Sequence, residues 1–219
     1  MRESYHEQLD AISDELVQMT RLVGSAMNRA TQSLLDADLQ LAESVIVGDD
    51  AVDALTSELD EKCFQIAALQ QPVATDLRIV MSGFRMASSL ERMGDLAAHV
   101  AKQARLRYPK PAVPQELRAT FAQMGALAEA IVSKTGSVIA TKDLQLAADI
   151  NRHDDDMDHL HRELFQIVLS PSWSHGVEEA IDVTLLSRYY ERYADHAVTV
   201  ARRVVHIVTG EPYAIIAVD

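Results

Sequence analysis

Apolar residues recur along most of the chain at spacings of three and four, which is the period of an amphipathic helix. The pattern predicts a first helix over residues 5–36 and five more over 38–70, 72–108, 115–141, 143–169 and 176–209. Pro72 is placed in the first turn of the third helix, and Gly48-Asp49-Asp50 is a weak point within the second. The chain is therefore predicted to be all-α. In the first helix the apolar positions are Leu9, Ile12, Leu16, Met19, Val23, Met27 and Ala30.

One proline-rich stretch divides the helices into two similar groups. Residues 108–114 contain three of the chain's six prolines, so they cannot be helical throughout. Sequence identity connects the groups, because Asp-Leu-Gln-Leu-Ala occurs at 38–42 and again at 143–147. We therefore predict two tandem, pseudo-symmetric three-helix bundles that arose by duplication. The predicted units are a first repeat over residues 1–108, a linker over 109–114, a second repeat over 115–210 and a tail over 211–219.

Composition narrows the classes of partner. The 33 acidic and 20 basic residues give a formal net charge of −13, which disfavours binding to nucleic acid or to an anionic membrane. The N-terminus has no signal-peptide pattern, and no apolar run is long enough to span a membrane, so a cytoplasmic location is expected. The single cysteine, Cys63, lies in an apolar stretch and is predicted to be buried.

Four pairs of acidic residues stand four positions apart on the predicted second and third helices of each repeat. Chance alone gives roughly five such pairs in a chain this acidic, so their number is not evidence. Their register is informative, because they occupy matching places in both repeats, and two of them adjoin a stripe of small residues. Another pair, Glu178/Asp182, is interpreted as solvated surface. The register-matched pairs are Asp49/Asp53, Glu91/Asp95, Asp154/Asp158 and Glu191/Asp195.

Paired carboxylates on facing helices can chelate or bridge hard cations. Iron is the metal expected first, with manganese, magnesium or zinc as alternatives, although the absence of thiolate ligands disfavours zinc. The competing interpretation is a set of solvated acidic faces without a metal. The histidines near these acids do not recur between the repeats and are interpreted as surface or supporting residues. The nearby arginines are interpreted as counter-charges, with anion binding as the alternative; they are Arg85, Arg92, Arg188 and Arg192.

The sequence offers no set of residues for nucleophilic catalysis. A di-metal carboxylate enzyme, either a hydrolase or an oxidase, is the alternative function. It is disfavoured because no general base stands outside the carboxylate set.

The motifs together resemble the PhoU family of phosphate-signalling regulators, in particular its actinobacterial members. The resemblance covers residues 5–209. It rests on Gln-Pro-Val-Ala-Thr-Asp-Leu-Arg at 71–78, Leu-Glu-Arg-Met-Gly-Asp at 90–95 and Tyr-Glu-Arg-Tyr-Ala-Asp-His at 190–196. The second repeat lacks the first of these motifs.

This resemblance implies two symmetrical three-helix bundles with multinuclear metal clusters on the four acidic pairs. It also implies a non-enzymatic negative regulator of the phosphate-starvation response and of phosphate uptake. Such a regulator links the ATPase of the phosphate ABC transporter to a sensor histidine kinase by protein contact, reaches the membrane only through these partners and forms a homodimer. The candidate partner-binding residues are Asp76, Arg78, Arg85 and Arg92.

Overall fold

The computed structural model describes residues 2–211, with side chains from Tyr5 onwards, and in this part of the chain all regular structure is helical. The predicted tail falls almost entirely outside the described residues. A short 3₁₀ helix, Gln115–Leu117, precedes the fifth α-helix. The α-helices are α1 (Arg2–Asp36), α2 (Leu39–Gly48), α3 (Asp50–Gln70), α4 (Ala74–Arg107), α5 (Arg118–Thr141), α6 (Leu144–Val168) and α7 (Val177–Thr209).

The predicted helix boundaries agree with the structure to within three residues, apart from one internal break. The weak point at residues 48–50 is a real break, because α2 ends at Gly48 and α3 begins at Asp50. Pro72 lies before α4 rather than in its first turn, since α4 begins at Ala74. At the other end of the second repeat, Gly210 ends α7 with a φ of 76°, a left-handed conformation that glycine adopts without strain.

The predicted apolar face of α1 is buried throughout, with every one of its seven positions at most 5% exposed. The same periodicity places Leu77 and Phe84 on the predicted apolar face of α4, but this prediction was wrong, because their side chains are 42% and 47% exposed. The reason is a close approach at Gly83, where an added Cβ would lie 2.7 Å from Cγ2 of Ile12. Helix α1 therefore packs on the α4 backbone at Gly83, and Phe84 turns outward.

The two repeats share one hydrophobic core. Helix α1 packs against α4 of its own repeat and also against α5 of the other, while α4 packs against α7. The linker contributes as well, because Ala112 and Val113 are buried. The outer helices complete the fold, with α2 and α3 on the α1–α4 side and α6 on the α5–α7 side.

Helices α4 and α7 run antiparallel, and a polar contact joins them at each end. At one end the carboxylate of Asp182 accepts hydrogen bonds from Gln103 (2.6 Å) and from Nε and Nη2 of Arg107 (2.5 and 2.9 Å). At the other end Nε of Arg78 donates to the carbonyl oxygen of Ile207 (3.4 Å). The middle of both helices therefore lies at the pseudo-two-fold axis that relates the repeats.

A search of the described residues finds no helix with the length and apolar character that a membrane span requires.

Candidate metal centres

The first acidic cluster forms where α3 begins beside the middle of α4. Asp49 occupies the junction between α2 and α3, Asp53 lies in the first turn of α3, and Glu91 and Asp95 lie on α4. Gly94 makes the close approach between these helices feasible. A Cβ added there would lie 2.7 Å from Oδ1 of Asp49, so the Asp49 carboxylate rests against the bare α4 backbone.

Electrostatics confirm that these four side chains share one region. The pKa of Asp49 is raised to about 6, first by burial and then by the charges of Asp53, Asp95 and Glu91, against an opposing effect of Lys102. The pKa of Glu91 is also raised, first by burial and then by Asp95. The structure therefore brings together the four acids that the sequence predicted for the first repeat.

The second acidic cluster lies between α6 and the middle of α7. Burial raises the pKa of Asp154 to about 7, with further contributions from Asp195, Asp158, Asp155 and Glu191, in that order. All four predicted acids of the second repeat are thus neighbours, and Asp155 adds a fifth charge.

Glu191 is the most buried acid of the second cluster, with 9% of its surface exposed. Its pKa is raised by burial and by Asp195. Its Oε2 atom is buried and has no hydrogen-bond partner among the described residues. Leaving such an oxygen unsatisfied costs about 1–3 kcal/mol, and a bound cation would offset that cost.

The two clusters are not copies of each other in detail. Position 194, which corresponds to Gly94, is alanine and carries the Cβ that the first cluster excludes. Asp154 lies inside the unbroken helix α6, whereas Asp49 lies at a helix break. Burial differs as well, because the Glu191 side chain is less exposed than that of Glu91, whereas Asp195 is more exposed than Asp95.

Arginines already pair with both clusters. Nη1 of Arg92 lies 2.8 Å from Oδ2 of Asp95, and its Nε lies 3.6 Å from Oε2 of Glu91. In the second repeat Nη1 of Arg192 lies 2.8 Å from Oδ2 of Asp195, and Arg188 pairs with Oε1 of Glu191. These three arginines thus act as the counter-charges that the sequence predicted.

Between residues 2 and 211, no group of three or more His, Cys, Asp or Glu side chains is arranged so that it could hold a metal ion. The donor chemistry nevertheless fits a hard cation. Each cluster offers four neighbouring carboxylates. The pKa values of two of them in each cluster are raised, first by burial and then by neighbouring charges, and the second cluster adds the Glu191 oxygen that has no hydrogen-bond partner. A cation would compete with Arg92 in the first site and with Arg188 and Arg192 in the second.

The other candidate partner-binding residues do not join the clusters. Asp76 accepts a hydrogen bond from the hydroxyl of Tyr5 (3.0 Å), and Arg78 is held at the end of α7. Arg85 is exposed between these residues and the first acidic cluster. The four candidates therefore spread along α4 rather than forming one surface patch.

One prediction about acidic residues was wrong. Asp182, interpreted as solvated surface with Glu178, is 3% exposed because it turns inward between Gln103 and Arg107. Its partners lie about 75 positions away in the sequence, so helical spacing within α7 carries no signal for this burial. The prediction for Cys63 is confirmed, since it is 2% exposed.

Two aromatic residues of α7 belong to the core. Tyr190 and Tyr193 are fully buried, and the hydroxyls of Tyr190 and Thr31 lie 2.7 Å apart. Large exposed apolar side chains lie elsewhere, mainly near the α3–α4 and α6–α7 turns, and none of them lies on α1 or α5 within the described part of the chain. At the α6–α7 turn, Val168, Val177, Ala180, Ile181, Thr184 and Leu185 line a groove of about 240 Å³.

Two related acidic clusters in a duplicated, all-helical fold define the class of protein, and comparison with known proteins identifies the family. The PhoU domain matches residues 16–104 and 121–204. The chain belongs to the PhoU family.

Relatives with curated names and solved structures support this assignment. The chain is 50% identical over 210 residues to "Phosphate-specific transport system accessory protein PhoU homolog 2" of Mycobacterium tuberculosis, covering 96% of this chain and 99% of that protein. The match to a mycobacterial protein supports the actinobacterial type.

Two crystal structures have the same fold. PhoU from Pseudomonas aeruginosa matches with a TM-score of 0.85 and 28% identity, covering 94% of this chain and 100% of that one. The phosphate transport system regulatory protein PhoU from Streptococcus pneumoniae matches with a TM-score of 0.86 and 24% identity, covering 94% and 98%. The Mycobacterium tuberculosis relative is named as an accessory protein rather than as an enzyme, in agreement with the non-enzymatic role expected from the sequence.

Proposed function

We propose that this chain is a cytoplasmic negative regulator of the phosphate-starvation response and of phosphate uptake. It couples the ATPase of a phosphate ABC transporter to a sensor histidine kinase by protein contact. The observation that carries the proposal is the match to a named phosphate transport accessory protein over almost the full length of both chains. The absence of a supported catalytic set in the sequence agrees with a role exerted through binding.

Metal binding is the chemical part of the proposal. The four carboxylates of each cluster would hold the ions, with iron expected first and a multinuclear site accommodated by the number of donors. Asp49, Asp53, Glu91 and Asp95 serve the first site. Bound cations would offset the repulsion that raises the pKa values of Asp49 and Asp154.

Contact with other proteins is the second part of the proposal. The large apolar side chains exposed near the α3–α4 and α6–α7 turns are surface that a second copy or another partner could cover. A homodimer and contacts through Asp76, Arg78, Arg85 and Arg92 remain predictions. Light scattering coupled to size exclusion would measure the oligomeric state, and a monomer at micromolar concentration would contradict the dimer.

Deletion of the gene tests the regulatory proposal. In phosphate-rich medium we expect phosphate-scavenging genes to be derepressed, and we expect wild-type protein to restore repression. A deletion strain that keeps normal repression, with any second family member also deleted, would refute the role. The transporter ATPase and the kinase should be captured by a tagged copy from cells grown in high phosphate.

Metal analysis tests the chemical part separately. We expect purified protein to contain tightly bound metal by elemental analysis, and Glu91→Ala/Asp95→Ala to reduce it. Turnover of phosphoesters by the metal-loaded protein, lost in this variant, would instead support the enzyme alternative.

A further inference from the structure

Each repeat exposes a patch of large apolar side chains around the turn before its last helix, and we call these patches the two apolar tips. Between 38% and 78% of the surface of each of these residues is exposed. The first tip, on α3, α4 and the turn between them, consists of Phe64, Leu69, Val73, Leu77, Met81 and Phe84. The second tip, on α6, α7 and the turn between them, consists of Phe165, Ile167, Leu169, Val177, Ile181 and Leu185.

The tips also lie in uncharged stretches of the sequence. Residues 63–75 and 164–177 contain no Asp, Glu, Lys or Arg, in a chain that is 24% charged. Contiguous apolar surface of this kind marks a contact with another protein or with a membrane. A membrane is disfavoured as the occupant, because the net charge of −13 repels anionic lipid headgroups. The tips are therefore surfaces for a protein partner.

The pseudo-two-fold axis relates the two tips. Met81 and Ile181 each lie ten positions before the glutamate of the Glu-Arg motif in their own repeat, and they are 48% and 53% exposed. Because α4 and α7 run antiparallel, the tips lie at opposite ends of this helix pair. Arg78 and Arg107 contact α7 at these two ends and are 29 positions apart on α4, so the tips lie about 45 Å apart.

One tip alone is small for a stable interface. If a fully exposed large apolar side chain presents about 150 Å², the six side chains of each tip present roughly 500 Å². A standard interface buries about 800 Å² on each partner, and smaller contacts are weak or transient. A partner that covers both tips reaches the standard size, whereas a partner that covers one tip does not.

We propose that the two apolar tips bind the two identical subunits of a two-fold symmetric partner, so that one copy of this chain bridges the pair. This inference rests on the partner part of the proposed function. An ABC transporter contains two ATPase subunits, and we assign the tips to the ATPase pair because the curated relative is named as a transport system accessory protein. Each subunit would offer one apolar pocket, with the two pockets about 45 Å apart.

Duplication of the repeat makes this binding bivalent. When one tip has bound, the second tip is held close to its own pocket, and bivalent attachment raises the affinity by about 10²–10⁴ over that of a single tip. Loss of either tip should therefore remove the same gain. A single chain obtains this effect without forming a dimer, because it carries both tips itself.

Binding of the full chain to the detergent-solubilised phosphate ABC transporter tests the proposal. We expect native mass spectrometry to show one chain bound to each transporter, which holds two ATPase subunits. Met81→Glu and Ile181→Glu each place a charge in one tip. Each should weaken binding by about 100-fold or more, measured by biolayer interferometry, and by a similar factor. The double variant should not bind measurably.

Val47→Glu is the matched control, because it introduces the same charge at an apolar residue of α2 that is 70% exposed and lies outside both tips. It should bind as the wild type does. The exchange variant Met81→Ile/Ile181→Met keeps both tips apolar and should also bind normally. Circular dichroism checks that each variant is folded, and Met81→Gln/Ile181→Gln, which adds no charge, replaces the double variant if the glutamates disturb folding.

Every other outcome counts against the inference. Two chains on each transporter, weakening by only one of the two single variants, or normal binding by the double variant would overturn it and leave the transporter as the partner. A wild-type dimer in light scattering that the double variant converts to a monomer would assign the tips to a second copy instead. If the wild-type chain does not bind the transporter, both this inference and the proposed partner fail, and the gene-deletion test still decides the regulatory role.

Discussion

Substitution of Asp182 by alanine should destabilise the whole chain, because this carboxylate joins the two repeats. It is 3% exposed and accepts three hydrogen bonds, one from Gln103 and two from Arg107. Its removal leaves the Gln103 amide and the Arg107 guanidinium without their buried acceptor. Hydrogen bonding to Asp182 is also the main reason that the pKa of Arg107 lies above its ordinary value. This arginine stays charged in the variant all the same, because a guanidinium keeps its proton at neutral pH without any partner.

The size of the effect follows from the surroundings of the two partners. Removing one member of a buried ion pair costs about 3–5 kcal/mol. The Arg107 side chain is 23% exposed and keeps Glu178 as a second partner, so the lower end, about 3 kcal/mol, is expected. For a chain of this length, that lowers Tm by about 6–12 °C.

Urea denaturation followed by circular dichroism measures this loss as a lower midpoint with an unchanged slope. Glu178→Ala is the matched control, because it removes a carboxylate from the same arginine at a side chain that is 68% exposed. It should cost under about 1 kcal/mol. If Asp182→Ala costs no more than Glu178→Ala, the buried carboxylate does not stabilise the joint between α4 and α7 and our reasoning is wrong.

Three further predictions concern the acidic clusters. Because the pKa of Asp154 is raised from 3.8 to about 7, its contribution to stability is fully present below pH 3.8 and is lost as pH rises to about 7. In metal-free protein Asp154→Asn should therefore raise the free energy of unfolding by about 1–2 kcal/mol at pH 8, after solvent screening. At pH 3.5 the same substitution should change this free energy little. Equal effects at both pH values would contradict the prediction. Gly94→Ala should displace the Asp49 carboxylate and weaken Mn²⁺ binding at the first site, measured by calorimetry. The free energy of unfolding should change by under about 1 kcal/mol, because alanine favours the helix. Unchanged affinity would show that the close approach at Gly94 does not determine Mn²⁺ binding. Asp95→Ala and Asp195→Ala should each lose metal by elemental analysis yet keep the helical circular dichroism spectrum, since the apolar core stabilises the fold. Global unfolding of both variants at room temperature would show instead that bound ions stabilise the fold.

The parts of the molecule that local sequence determines were predicted well. The helices follow from apolar periodicity and from their glycine and proline limits, and the break at Asp49 follows from the Gly48-Asp49-Asp50 run. The membership of each acidic cluster followed from register between the repeats. That register also revealed the duplication.

The missed features depend on contacts between distant residues. The burial of Asp182 requires Arg107, and the exposure of Phe84 results from the approach of α1 to Gly83. A helical period identifies a face but not which of two adjacent residues meets the neighbouring helix.

The antiparallel packing of α4 on α7 bears on the ancestor of this protein. A single three-helix unit would expose the face of its third helix that the other repeat now covers. Two identical units could cover this face for each other around a true two-fold axis. The ancestral gene product is thus expected to have been a symmetric dimer. After its gene was duplicated and fused, each repeat could acquire substitutions independently, and the glycine at position 94 opposite the alanine at position 194 is one such difference.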